Sequence, residues 1–276
     1  MHSLGFKGAH LARGSHVAVQ NNYKIIVLNS SEDPNMIVDA HTHLGSFPTF
    51  NVKLDAEGLV DIMKECGVEH SVLFSHPNKL THEAILSYPE RFTGLVWVNP
   101  KDGEKALREV EIGVKKHGFK GVKMHPLMDS FLPDDPVVHP VIELAIKLRV
   151  PILFHCGHPP WSLPWHFGNL ADIYPDAKII LGHMGHGHIV YINGSLDIAR
   201  KHNNIYLETS GMPMHSKVKE AVETVGIDRV MFGSDAPFGH PSFEIRKIEV
   251  SGLGSDLVEK VLGENARRLF NIDTLH

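Results

Sequence analysis

Only two cysteines, Cys66 and Cys156, occur in the 276 residues. Two distant thiols cannot build a disulfide framework, which excludes a small stapled secreted scaffold and fits a reducing, cytoplasmic setting. No run approaches the roughly 18 apolar residues of a membrane span. Nor is there a basic stripe or Lys/Arg block: the net charge is -5 and the isoelectric point near 6.5. Nucleic acid and anionic membranes are therefore not expected partners, which leaves a small molecule as the expected ligand and a homodimer open. Also missing are a linker, a low-complexity tract and a repeat. Residues 1–35 lack clear periodicity, and their one apolar run, Ile25 to Leu28, is too short for a secretory segment. We expect translation to begin at Met36, or residues 1–35 to be a loosely ordered extension, with 36–276 forming one domain.

What the sequence does contain is alternation. Short, mostly apolar runs rich in β-branched residues recur at Met36 to Ala40, Ser71 to Phe74, Thr93 to Val98, Gly121 to Met124, Pro151 to Phe154, Lys178 to Leu181, Ile205 to Leu207 and Arg229 to Phe232. Amphipathic stretches such as Asp55 to Cys66, Gly103 to Lys116 and Val137 to Leu148 separate them. Buried parallel strands joined by crossover helices give this pattern, and eight units predict an α/β fold, a (β/α)8 TIM barrel. An open doubly wound sheet would announce itself with a Gly-rich first turn, and Asp39-Ala40-His41-Thr42-His43 is not one.

The chemistry follows the strands. Expected strand 1 leads into His41-Thr42-His43, strand 4 into Lys123-Met124-His125-Pro126, strand 5 into His155-Cys156-Gly157, strand 6 into His183-Met184-Gly185 and strand 8 into Ser234-Asp235-Ala236-Pro237. These are C-terminal strand ends, the rim on which barrel enzymes carry their active sites. A His-x-His pair alone proves little, since 21 histidines yield about 1.6 such pairs by chance composition. Of the two present, His186-Gly187-His188 is read as loop. In the first, alternation points His41 and His43 to one side and Thr42 to the other.

His41, His43, His155 and Asp235 then form an N3O set for a divalent metal, zinc before manganese, iron or cobalt, with a position left for water. Asp235 could take a proton from that water, and His183 would orient it or polarise the substrate. Lys123 is either a substrate-facing ammonium or a carbamate bridging two metals, in which case His155 and His183 would hold the second ion. His125, Lys123, His158 and Trp161 are the candidate substrate contacts, with His76, Asn99, Ser210 and His215 as further candidates, and Cys156 is expected to be a buried thiol.

In order along the chain, Val38-Asp39-Ala40-His41-Thr42-His43, Gly118 to Pro126, Leu181-Gly182-His183-Met184-Gly185, Gly233 to Phe238 and Glu264 to Phe270 resemble the amidohydrolase superfamily. The likeness is to the branch containing aminocarboxymuconate-semialdehyde decarboxylase, aromatic-acid decarboxylases and several lactone hydrolases. It implies a metal on His41, His43, His155 and Asp235, with His183 in catalysis or on a second metal. Lys123 to Pro126 is similar to the segment carrying the carboxylated lysine of dihydroorotase-type members, although the decarboxylase branch does not use that lysine as a ligand. Because this chain is shorter than the larger decarboxylases, the expected reaction is hydrolysis of an amide, cyclic amide or lactone by metal-activated water. Non-oxidative decarboxylation of a small carboxylic acid and a non-catalytic metal-binding scaffold are the alternatives.

Overall fold

A computed structural model describes residues 36–272, so the expected extension over 1–35 lies outside the described residues. Eight strands, β1 (Val38–Thr42), β2 (His70–Leu73), β3 (Phe92–Trp97), β4 (Gly121–Met124), β5 (Ile152–His155), β6 (Ile179–Gly182), β7 (Ile205–Glu208) and β8 (Val230–Met231), pair in parallel in chain order. A parallel bridge from Thr42 to Ala236 brings the chain after β8 against β1. Ala40 N donating to Phe232 O (3.1 Å) and His43 N to Ala236 O (2.7 Å) support it. The α/β barrel expected from the alternation is present, and no helix among the described residues is long and apolar enough to cross a membrane.

Strand ends differ from the sequence reading where tertiary bonds decide them. β1, β5 and β6 start and end later than expected, so His41 and His155 lie within strands instead of after them. β8 shrinks to two residues because Phe232 N donates to Val261 O (2.9 Å) instead of extending the ladder with β7, while its carbonyl stays on β1. Asp55, expected inside a helix, is the N-cap of Ala56–Cys66, its carboxylate accepting from Gly58 N at 3.0 Å. A short antiparallel hairpin, Gly45–Phe47 with Val52–Leu54, follows β1 and was not foreseen.

The irregularity in β1 has the largest consequence. Val38 pairs with His70 and Asp39 with Ser71, but Thr42 pairs with Leu73. Ala40 and His41 together therefore face the single residue Val72, which is a β-bulge. Val38 and Ala40 belong to the apolar cluster inside the barrel with Val72, Leu95, Leu153 and Ile180. Plain alternation from those two would turn His41 outward. The extra residue reverses the parity, and His41 and His43 are both buried, at 0% and 4% exposure. Asp39 holds the bulge through one carboxylate oxygen that accepts from His41 N (3.1 Å) and Ser234 N (2.8 Å).

Apolar burial elsewhere follows the barrel plan. A larger cluster fills the space between strands and helices, and Ala266, Leu269 and Phe270 join the inner cluster from the C-terminal helix. Cys156 is a free buried thiol, as expected, and burial pushes its pKa up to about 12.

His70 ties β2 to β3: Nδ1–H donates to Glu90 O (3.1 Å) and Nε2 accepts from Thr93 Oγ1 (2.9 Å). Burial lowers its pKa from 6.5 to about 4. The unfolded chain takes up this proton before the folded one does, so stability is complete above about pH 6.5 and falls as pH drops towards 4, by about 3 kcal/mol for this group. His70→Leu is expected to be less stable at neutral pH yet to lose less stability between about pH 7 and about pH 4.5 than the parent chain. Urea unfolding across that range checks this, and equal losses in both proteins contradict it.

Candidate metal centre

At the C-terminal ends of β1, β6 and β8, His41, His183 and Asp235 each offer one donor atom within 4.8 Å of the others. Asp235 Oδ1 lies 3.3 Å from His41 Nε2 and 3.1 Å from His43 Nε2, and only the His43 contact has hydrogen-bond geometry. His41 Nε2 is thus buried with no hydrogen-bond partner. An orphaned imidazole nitrogen facing a carboxylate and a second imidazole is the arrangement a divalent cation completes, so the residues present fit such an ion.

The opposite edge of His41 explains why Nε2 is the free atom. Its Nδ1–H donates to Glu208 Oε2 at 2.7 Å, which fixes the tautomer and leaves the Nε2 lone pair facing the cluster. Glu208 closes β7 and is fully buried. It also accepts from His183 N (3.2 Å), Ser210 N and Ser210 Oγ (2.9 Å). Gly233 is what lets these side chains meet. A Cβ there would come within 2.4 Å of Glu208 Oε1 and 2.8 Å of His41 Cβ. His183 and Asp235 both have left-handed backbones, φ 68° and 58°, a conformation that costs non-glycine residues about 1–3 kcal/mol each. Hydrogen bonds hold them there: His183 N to Glu208, and Asp235 N to His41 O at 2.8 Å.

Burial dominates the electrostatics. It pushes His41 and His155 well below the usual imidazole range and His183 down to about 3, so all three are neutral and able to act as ligands. For Asp235, burial works to raise the pKa, but the imidazoles of His183, His43 and His41 outweigh it and hold the carboxylate ionised. Lys123 is fully buried beside Phe74, its Nζ 4.7 Å from the ring centroid and without a hydrogen-bond partner. Burial lowers its pKa to about 7.

The other sequence candidates separate into groups. His155 is buried 4.7 Å from the His183 ring, but its Nε2 lies 2.7 Å from His158 Nδ1. Its ring stacks on His125 at 4.1 Å, and His125 stacks on Trp97 at 5.8 Å. His158 also meets His186 at 4.2 Å, whereas His188 of the second His-x-His pair caps the helix Ile189–Lys201. Ser210 lies in the centre, its carbonyl and hydroxyl 3.2 and 3.0 Å from His183 Nδ1. His76 and His215 are exposed, Asn99 caps the turn Pro100–Asp102, and Trp161 makes no ring contact with the histidines among the described residues. Glu208, Gly233 and the structural role of Asp39 were missed. A carboxylate at the C-terminal end of an expected strand was the available signal for Glu208, but the seventh run was ended at Leu207. At the mouth, Phe47 and Phe238 pack 4.7 Å apart and stand 6.4 and 5.6 Å from His43.

Comparison with known proteins adds relatives to this geometry. A family model described as amidohydrolase matches residues 53–272. A gamma-resorcylate decarboxylase from Polaromonas sp. strain JS666 is 28% identical over 249 residues, covering 71% of this chain and 75% of that protein. Among solved structures, a 2,6-dihydroxybenzoate decarboxylase complexed with 2,6-dihydroxybenzoate superposes with a TM-score of 0.70 at 18% identity, covering 86% of this chain and 99% of the other. A dihydroxybenzoic acid decarboxylase from Polaromonas sp. JS666, with bound manganese and 2-nitroresorcinol, gives 0.70 at 20% identity, covering 88% and 98%. At these identities the two structures show a shared fold.

The contact from Glu208 to His41 carries a prediction. Glu208→Gln keeps the shape but weakens the acceptor that fixes the His41 tautomer, and loss of such a supporting partner typically costs 10–100-fold in metal affinity. Titration of manganese into metal-free protein is expected to show a loss in that range with the circular dichroism spectrum unchanged. Parent-like affinity contradicts the role given to Glu208.

Proposed function

The chain belongs to the amidohydrolase family, and we propose that it is a metal-dependent, non-oxidative decarboxylase of a small aromatic acid. The observation that carries this reading is its similarity to gamma-resorcylate decarboxylase across 75% of that protein. Hydrolysis, expected from the short chain, is overturned by the same finding. The inference failed because it assumed that an aromatic acid needs long loops. Here the unforeseen hairpin after β1 and the turn after β8 bring Phe47 and Phe238 to the mouth beside His43, and Trp97 stands 5.7 Å from the same ring. Flat apolar walls suit an aromatic ring.

We assign the cation to His41, His43 and Asp235, with His155 joining once its Nε2 is released from His158, and keep His183, whose Nδ1 is tied to Ser210, for proton handling. Imidazoles with one carboxylate suit zinc or manganese, and the manganese of the related fold makes that ion the first to test. When bound, the cation supplies positive charge that holds and orients an anionic substrate. With one cation assigned, this reading gives Lys123 no carbamate to form; it stays a buried amine beside Phe74.

The chain's own groups handle the proton. Decarboxylation adds one proton to the ring carbon that bears the carboxylate. The bond to the carboxylate carbon then breaks, its electron pair restores the aromatic ring, and carbon dioxide leaves. His183 has Nδ1 committed to Ser210 O, so Nε2 is the atom that takes from solvent the one proton the reaction consumes and delivers it to the ring carbon. Asp235, held ionised among three imidazoles, steadies positive charge on His183 while the proton is there. Phe47, Phe238 and Trp97 stand as apolar walls beside the ring while it carries the added proton.

The test uses manganese-loaded protein and 2,6-dihydroxybenzoate with other hydroxybenzoates, following carbon dioxide and the decarboxylated phenol. Release in equal amounts is expected, with Asp235→Asn and His183→Asn each lowering kcat by about 100-fold or more, the usual scale of a positioned acid or base. No release from any of these acids, together with turnover of a lactone or cyclic amide, contradicts the proposal.

A further inference from the structure

Beside the loop that carries Ser210 lies a largely buried ion pair that none of the preceding chemistry uses. Lys247 and Glu244 lie three residues apart on the helix Pro241–Glu249 and form a close salt bridge, at 9% and 14% side-chain exposure. Removing two charges from water is costly unless each finds further partners. All of those partners are on one short segment, the loop after β7. Lys247 Nζ donates to Thr209 O at 2.6 Å and Met212 O at 2.8 Å, while Glu244 Oε1 accepts from Gly211 N at 3.3 Å. The pair thus grips Thr209, Gly211 and Met212 and leaves Ser210 between them.

Ser210 is the residue that meets the catalytic histidine. Its carbonyl and hydroxyl are the groups at His183 Nδ1, and its hydroxyl also donates to Glu208. Gly211 has φ 65°, the left-handed turn needed to present a carbonyl on one side and its own N–H on the other. Without the grip, this loop has no other polar tie to the helix. Ser210 N and Oγ would stay tied to Glu208, but the direction of the Ser210 carbonyl would no longer be fixed from its other side, so it could turn from Nδ1 and the opposite tautomer, protonated at Nε2, would become accessible.

We propose that Lys247 and Glu244 are positioning residues that fix the His183 tautomer by holding the Ser210 carbonyl in place. The inference rests on the decarboxylase reading only where activity is measured; the tautomer is a property of the folded chain. In protein labelled with ¹⁵N-histidine and loaded with diamagnetic zinc, the His183 signal is identified by its absence in His183→Asn. The parent is expected to show protonated Nδ1 and unprotonated Nε2. The double variant Lys247→Met with Glu244→Gln removes both charges together, so that neither is left buried alone. It is expected to show a mixed or reversed tautomer and, with an active parent, a kcat lowered about tenfold at a KM within about twofold, in the range seen for supporting residues.

Lys247→Arg, which keeps donors for the two carbonyls, is expected to restore the parent signature. If the double variant does not fold, Glu244→Gln alone decides, with an intermediate shift expected at His183. A double variant or Glu244→Gln with a lower melting temperature but an unchanged His183 spectrum overturns the proposal, because the pair would then only stabilise. If no acid is decarboxylated by the parent, the spectra still decide this inference while the functional reading fails separately.

Discussion

One extra residue in β1 sets the orientation of everything at the centre. Strand pairing fixes which side chains enter the barrel, and Val38 and Ala40 have already taken the inward positions. The bulge opposite Val72 then turns the next inward position over to His41. A regular strand would place His41 among the helices and separate it from Asp235 and His183. Asp39 is the device that makes the bulge affordable, because one of its oxygens accepts both His41 N and Ser234 N. The same bond joins β1 to the segment that carries Asp235. Barrel closure and site assembly are therefore one event.

Once His41 points inward, burial dictates the rest. Imidazoles and carboxylates shielded from water must be paired or neutral. The structure uses both solutions: depressed pKa values keep the histidines neutral, and Glu208 collects four donors. What remains after this accounting is informative. His41 Nε2 has no partner and Asp235 carries a negative charge beside it, a deficit of positive charge at one point. The left-handed backbones of His183 and Asp235 are consistent with strain concentrated where function lies. The Lys247 and Glu244 pair extends the same logic outward, since a buried charge pair persists where its partners hold something in place.

The sequence made the barrel legible because each strand is a short apolar run, and the alternation of run and amphipathic stretch has few other solutions. It also brought His41, His43, His183 and Asp235 to one rim. Three things were out of reach for physical reasons. Bulges are set by pairing with a neighbour, so alternation gave the right side for His41 from a premise that the strand does not follow. Glu208 is polar at the end of a run whose boundary depends on a ladder, and a single sequence does not show the ladder. The preference for hydrolysis came from chain length, which says nothing about where aromatic side chains stand. His155 shows a further limit: its ring is at the rim, but its Nε2 faces His158, and only the pairing of rings reveals that choice.

The central claim is that the bulge in β1 directs His41 Nε2 at a cation shared with Asp235. Crystals grown with manganese and measured at its absorption edge test this most directly, because anomalous scattering locates the ion without assumptions about its ligands. The account predicts one strong peak per chain within coordination distance of His41 Nε2 and an Asp235 oxygen. A peak elsewhere, or none from protein that carries a full equivalent of manganese in solution, would contradict it.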